Sequence, residues 1–280
     1  MENCAKVKKE GKDAMRAWTM GLMAMTVGVA CAQERAGWKL MWSDEFDKPG
    51  LPDAKKWTNE VGFVRNREAQ YYTQARLENA RVENGRLIIE GRKEEYTAPD
   101  GKTSHYTAAS LTTEGLFETT YGRVEVRAKL PRGRGMWPAI WMLGTDINKV
   151  GWPKCGEIDI MEAVGHDPDK VFATVHWFGY EKGKHASFGG KLKGQAPADD
   201  FHVYAVEWFA DRMDFYYDET KYFTCPIEKA GSGDKNPFNK PHYLLMNLAI
   251  GGAWGGKKGI DDSVFPQRYE IDYVRIFRKN

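Results

Sequence analysis

Apolar and polar residues alternate along much of this chain in short runs, separated by Gly, Pro, Asn and Asp. Alternation places one set of side chains on one face of a strand and the other set on the opposite face. Such runs occupy 86–90, 122–130, 171–177, 202–209, 213–217, 243–250 and 269–277, and no long stretch carries a helical period. In 122–130, Val124, Val126 and Ala128 share one face while Glu125, Arg127 and Lys129 share the other. Many short strands with frequent turns predict an all-β sandwich. The stretch 182–200 is rich in Gly, Lys and small residues and reads as a mobile loop.

One strand-like run is chemically unusual. Glu157-Ile158-Asp159-Ile160-Met161-Glu162 places three carboxylates within six residues. A regular strand puts Glu157 and Asp159 on one face and sends Glu162 to the other; a β-bulge at Ile160-Met161 returns Glu162 to their side. Like charges on one face are costly unless chemistry uses them. Two carboxyls about 5–5.5 Å apart are what a retaining glycosidase requires, one attacking the anomeric carbon and the other moving the proton. Repulsion keeps one partner protonated, ready to act as the acid. Asp159, between them, could orient Glu157 and share a proton with it. The plainer alternative is a solvated acidic face.

Composition narrows the partners. A chain of 280 residues with 42% hydrophobic and 13% aromatic residues suits one β-domain with a sizeable core. Ten tryptophans suggest that some serve as sugar-stacking surfaces. Residues 1–32 read as a signal peptide: Lys6, Lys8, Lys9, Lys12 and Arg16 precede an apolar run that ends in Ala30-Cys31-Ala32, too short for a membrane span. Met15-Arg16 makes a tidier start, so 1–14 is one candidate for an over-called N-terminus. A lipid-attached Cys31 fits less well than secretion, because Gly28 stands where a Leu is usual. Residues 33–280 then form a single catalytic domain. The leader holds five basic and three acidic residues, so its removal brings the net charge of +2 to zero. A neutral polymer suits that balance; nucleic acid and a membrane span are not expected. Cys155 and Cys225 lie beyond the leader, and their pairing stays open.

Several motifs carry a family resemblance. They are Asn66-Arg67-Glu68-Ala69-Gln70-Tyr71-Tyr72, Gly135-Met136-Trp137-Pro138-Ala139-Ile140-Trp141, Trp152-Pro153-Lys154-Cys155, the acidic run itself, and Glu270-Ile271-Asp272-Tyr273-Val274-Arg275. Together they resemble glycoside hydrolase family 16, in its laminarinase-like branch, from about Trp38 to Phe277. The resemblance implies a jelly roll of two curved antiparallel sheets with a concave substrate cleft. It implies a secreted, monomeric endo-β-1,3-glucanase in which Glu157 is the nucleophile, Glu162 the acid/base and Asp159 the assisting residue. Mixed-linked glucan is a further substrate under the same resemblance. Asn66 matches a sugar-binding position, although a turn-capping role is equally compatible with its sequence. Glu125 and Arg127 match positions beneath the cleft, Trp137 and Trp141 its walls, and His176 a position beside the acid/base. Asn247 and Trp254, the latter on a Gly-rich loop, match further substrate contacts. The glycines before Trp137 would let a bound chain approach the backbone. No cofactor is implied for catalysis, but Glu45, Gly85 and Asp272 match a structural calcium site. Hydrolases of agar-type galactan, lichenan or xyloglucan are the nearest alternatives. A non-catalytic jelly-roll lectin lies further off, since a binder of neutral sugar has little use for three carboxylates.

Overall fold

The computed structural model describes residues 35–280, and the leader expected at 1–32 lies outside them. In chain order the strands are β1 (Trp38–Asp44), β2 (Thr58–Asn59), β3 (Gln70–Tyr72), β4 (Ala80–Glu83), β5 (Arg86–Thr97) and β6 (Thr103–Ala108). They continue with β7 (Ser110–Thr112), β8 (Gly122–Lys129), β9 (Met136–Gly144), β10 (Glu157–Glu162), β11 (Lys170–Gly179) and β12 (Lys184–Lys193). The last five are β13 (His202–Trp208), β14 (Arg212–Tyr217), β15 (Thr220–Pro226), β16 (His242–Ile250) and β17 (Gln267–Lys279). Every run that the alternation singled out is a strand.

Two sheets result. One has ten strands, in the path β15-β14-β13-β8-β17-β5-β6-β3, with β1 added on β17 and β4 on β5; the other has seven, in the order β12-β11-β10-β9-β16-β7-β2. Antiparallel pairing dominates, as a jelly roll requires, with β3 and β6 a parallel exception. Alternation explains the packing. Val124, Val126 and Ala128 of β8 meet Ile140 and Met142 of β9, Ile158 of β10 and Leu244, Met246 and Leu248 of β16 in one core between the sheets. Fully burying each larger aliphatic chain contributes about 1.5–3 kcal/mol.

The segment expected as a mobile loop, 182–200, is instead largely β12. It pairs with β11 over ten residue pairs, from Lys170↔Lys193 to Gly179↔Lys184. As an edge strand it is mostly exposed; its few apolar residues, Ala186, Phe188 and Leu192, share one face with Gly190, and Ala186 and Leu192 pack against the core. Its glycines have a packing reason: a Cβ on Gly190 would stand 2.6 Å from the Phe223 ring. Cys155 and Cys225 are buried free thiols. Burial, with Glu157 nearby, pushes the Cys155 thiol up to about 12.

Candidate active site

The site is built on β10. Against β9 the register runs Asp159↔Trp141, then Met161↔Ile140 and Glu162↔Ala139, so one extra residue is accommodated after Asp159. The same shift appears against β11, between Asp159↔Thr174 and Glu162↔Phe172. Ile160 and Met161 both turn into the core, each fully buried. Glu162 therefore emerges on the face of Glu157 and Asp159, and all three line one cleft of about 760 Å³.

Tryptophans supply the polar contacts of the two glutamates. The Trp137 indole N–H donates to Glu162 Oε1 at 2.9 Å, and that of Trp152 donates to Glu157 Oε2 at 2.7 Å. Burial, and next the Asp159 carboxyl, hold the Glu162 pKa well above the ordinary carboxylate range, opposed by the Trp137 bond. Asp159 is raised well above its usual value too, by burial first and then by the charge of Glu157, with which it shares a hydrogen bond. A buried neutral Asp159 beside Glu157 keeps two adjacent anions from forming.

Other predicted residues fall into two groups. Asn66, Trp137, Trp141, His176, Asn247 and Trp254 all line the cleft. Trp254 meets Trp137 edge-on at 5.6 Å and Phe172 at 5.0 Å. Trp141 donates through Nε1 to Asn247 Oδ1 at 2.7 Å, and Asn247 donates to the Tyr72 hydroxyl at 2.9 Å. Asn66 has a φ of 54° and accepts at its carbonyl from the Ala253 N–H, which ties its turn to the Trp254 loop.

Glu125 and Arg127 must be corrected. They lie on β8, in the ten-stranded sheet, and do not line the cleft. Since Val124, Val126 and Ala128 face the core, the polar partners point away from it. Glu125 accepts from Arg123 at 2.7 Å, and Arg127 donates to Asp272 at 2.6 Å. His176 also departs from expectation: its Nε2 lies 3.1 Å from Asp159 Oδ2, so its carboxylate neighbour is Asp159. Gly133 and Gly135 leave room for the chain itself, not for a ligand. A Cβ on the first would stand 2.8 Å from Val264, and one on the second 3.0 Å from Ile260.

The expected calcium positions do not fit a metal site, and nor does a cluster in the cleft. Glu45 has both carboxylate oxygens on Arg275, at 3.0 and 2.8 Å; Asp272 is held by Arg127, and Gly85 forms a hairpin turn with Asn84. These carboxylates are already neutralised. In the cleft, Glu157, Asp159 and His176 each bring one ligand-type atom within 4.8 Å of the others. A protonated Asp159 is a poor donor to a cation, whereas the glutamates can do acid–base and nucleophilic work unaided.

Sequence reasoning missed several cleft residues. Trp152 stands out in the sequence only as part of a motif, yet its half-exposed indole binds Glu157. His185 comes from the unrecognised strand β12. Arg65, paired with Glu60 and stacked 4.7 Å from the Trp141 ring, stands one residue before Asn66. Only its adjacency to that motif could have marked it.

A tryptophan-lined groove across a β-sandwich, with two glutamates on one face and one of them held protonated, defines a glycoside hydrolase. Comparison with known families agrees: residues 67–275 match glycosyl hydrolases family 16, and the chain belongs to that family. A beta-glucanase of Rhodothermus marinus is 47% identical over 250 residues, 86% of this chain and 85% of that protein. The solved laminarinase of Rhodothermus marinus superposes with a TM-score of 0.78 at 46% identity, covering 86% of this chain and 97% of that one. SCLam, a non-specific endo-beta-1,3(4)-glucanase, gives 0.80 at 43% identity over 88% and 93% of the two chains.

Proposed function

We propose that this protein is a secreted, retaining endo-hydrolase of β-1,3-glucan that also accepts mixed β-1,3-1,4-linked chains. The observation that carries the mechanism is the bulge in β10, which turns Glu162 to the side of Glu157. In this reading Glu157 attacks the anomeric carbon of a glucosyl unit. Glu162, kept protonated first of all by burial, gives its proton to the departing glycosidic oxygen. Glu162 then removes a proton from water, which releases the sugar from Glu157 with overall retention. Asp159 lends its proton to the Glu157 hydrogen bond and steadies the carboxylate before attack. Trp137, Trp141 and Trp254 offer ring faces to the apolar sides of sugars. The substrate class is supported by the relatives, whose names describe beta-glucanase and laminarinase.

Export is supported by the basic-then-apolar leader and its A-x-A end. Among the described residues no helix is long and apolar enough to cross a membrane. We read the protein as a monomer. Because Arg275 and Arg127 engage Glu45 and Asp272, chelation of divalent cations is expected to leave the melting temperature unchanged.

Release of reducing ends from laminarin, lichenan, xyloglucan and agarose by residues 33–280 tests the substrate. Release from laminarin, with lichenan similar or weaker, is the expected result. Cleavage of agarose or xyloglucan alone would retain the chemistry and discard the glucan.

A further inference from the structure

A closed ring of contacts surrounds Glu157 and leads out to a residue on the edge strand. Trp152 donates to Glu157 at 2.7 Å, and its ring lies 4.8 Å from that of His185. The His185 and His176 rings are nearly parallel, their planes 15° apart, with centroids 5.1 Å apart. His176 Nδ1 and His185 Nε2 are 2.9 Å apart. His176 Nε2 reaches Asp159 Oδ2 at 3.1 Å, and Asp159 closes the ring by its hydrogen bond to Glu157.

The protons in this ring can be placed by satisfying its buried atoms. Asp159 Oδ2 is buried and lacks an aligned hydrogen-bond partner. His176 Nε2 is the donor type beside it, so the tautomer that relieves Oδ2 carries its hydrogen on Nε2. Nδ1 of His176 is then a lone pair and needs a donor. His185 Nε2 is 2.9 Å away. Burial, and then the neighbouring His176, lower the His185 pKa, opposed by Glu157. A neutral imidazole with its hydrogen on Nε2 is the donor that Nδ1 requires.

We propose that His185 is a positioning residue for the cleavage step: its Nε2–H fixes the tautomer and tilt of His176, which in turn holds Asp159 against Glu157. The inference rests on Glu157 being the nucleophile. His185 itself does not touch the reacting atoms. It lies outside the catalytic strand, and its contribution passes through His176. The Trp152 ring packs against the His185 imidazole at 4.8 Å and limits its movement.

Two substitutions separate hydrogen bonding from stacking. His185→Phe keeps a flat ring between Trp152 and His176 but has no N–H. His185→Gln keeps a donor and loses the ring. In laminarin hydrolysis His185→Phe should lower kcat about tenfold, the share of one hydrogen bond of ordinary strength, with KM changed less than about twofold. His185→Gln should recover part of the lost kcat. Wild-type kcat in His185→Phe, at unchanged melting temperature, would overturn the proposal, and so would a loss confined to KM. If His185→Phe does not fold, His185→Gln decides: near-normal kcat supports the donor role, and a loss as large as that of His185→Ala refutes it. Failure of the underlying reading looks different, because then Glu157→Ala itself would remain active.

Discussion

Strands β8 and β10 look alike as text, since each alternates aliphatic residues with charged ones and each buries its aliphatic face in the same core. Their polar faces differ in what answers the charge. On β8, Arg123 donates to Glu125 at 2.7 Å and to Glu207 at 3.1 Å, and Arg127 pairs with Asp272. Elsewhere in that sheet Glu90 is held by Arg81 and Arg268, and Asp214 by Arg212. On β10 no arginine is paired with Glu157, Asp159 or Glu162 among the described residues. They have indole N–H groups, a histidine and one another. A guanidinium fork holds a carboxylate ionised and inert, whereas an indole donor in a buried groove leaves it basic and available. Structural carboxylates are thus the neutralised ones, and working carboxylates are the ones left with weak partners.

The contrast can be broken first at Glu157. Glu157→Ala should reduce polymer cleavage by about 10⁴-fold or more, as loss of a nucleophile does, and azide should partly restore turnover of an activated glycoside. Retained activity on laminarin would remove the assignment. Next in size is Glu162→Gln, expected to lower kcat by about 10²–10⁴-fold on substrates with poor leaving groups. That variant also has a stability signature. A carboxyl whose folded pKa lies above its unfolded value favours the fold below the unfolded value and penalises it as pH rises through the folded one. Glu162 is raised by burial and by Asp159, so Glu162→Gln should melt higher than wild type at neutral pH. Below the ordinary carboxyl range the two should melt together. An equal or lower melting temperature at neutral pH would contradict the protonation of Glu162.

Arg123→Ala moves the test to the other sheet. Arg123 is fully buried, and its loss strands Glu125 and Glu207. A cost of about 3–5 kcal/mol in unfolding free energy is expected, with kcat of the folded fraction unchanged. Smallest of all should be Arg127→Gln, a partly exposed pair with Asp272. It should change stability by less than about 1 kcal/mol and leave laminarin kinetics within twofold. A large kinetic defect there would reconnect β8 to the cleft.

What local sequence determined was the strands with a clear alternation, the sandwich class and the acidic run with its bulge. Those features depend on neighbours one to five residues apart: alternation assigns faces, and the spacing from Glu157 to Glu162 cannot share a face without one extra residue. Tertiary structure decided which sheet each polar face belongs to. Glu125 and Arg127 had the same local pattern as a cleft strand, but the pairing of β8 with β13 and β17 sends them to the arginine-rich face. It also decided that Lys184–Lys193 is a strand, because ten residue pairs with β11 order a largely exposed edge whose few apolar residues stand among glycines and lysines. His185 comes to His176 by the same route, from a segment whose sequence states no partner. Charge and periodicity are written locally; the identity of the neighbour across the sheet is a long-range pairing, and that pairing separates a carboxylate held inert from one free to react.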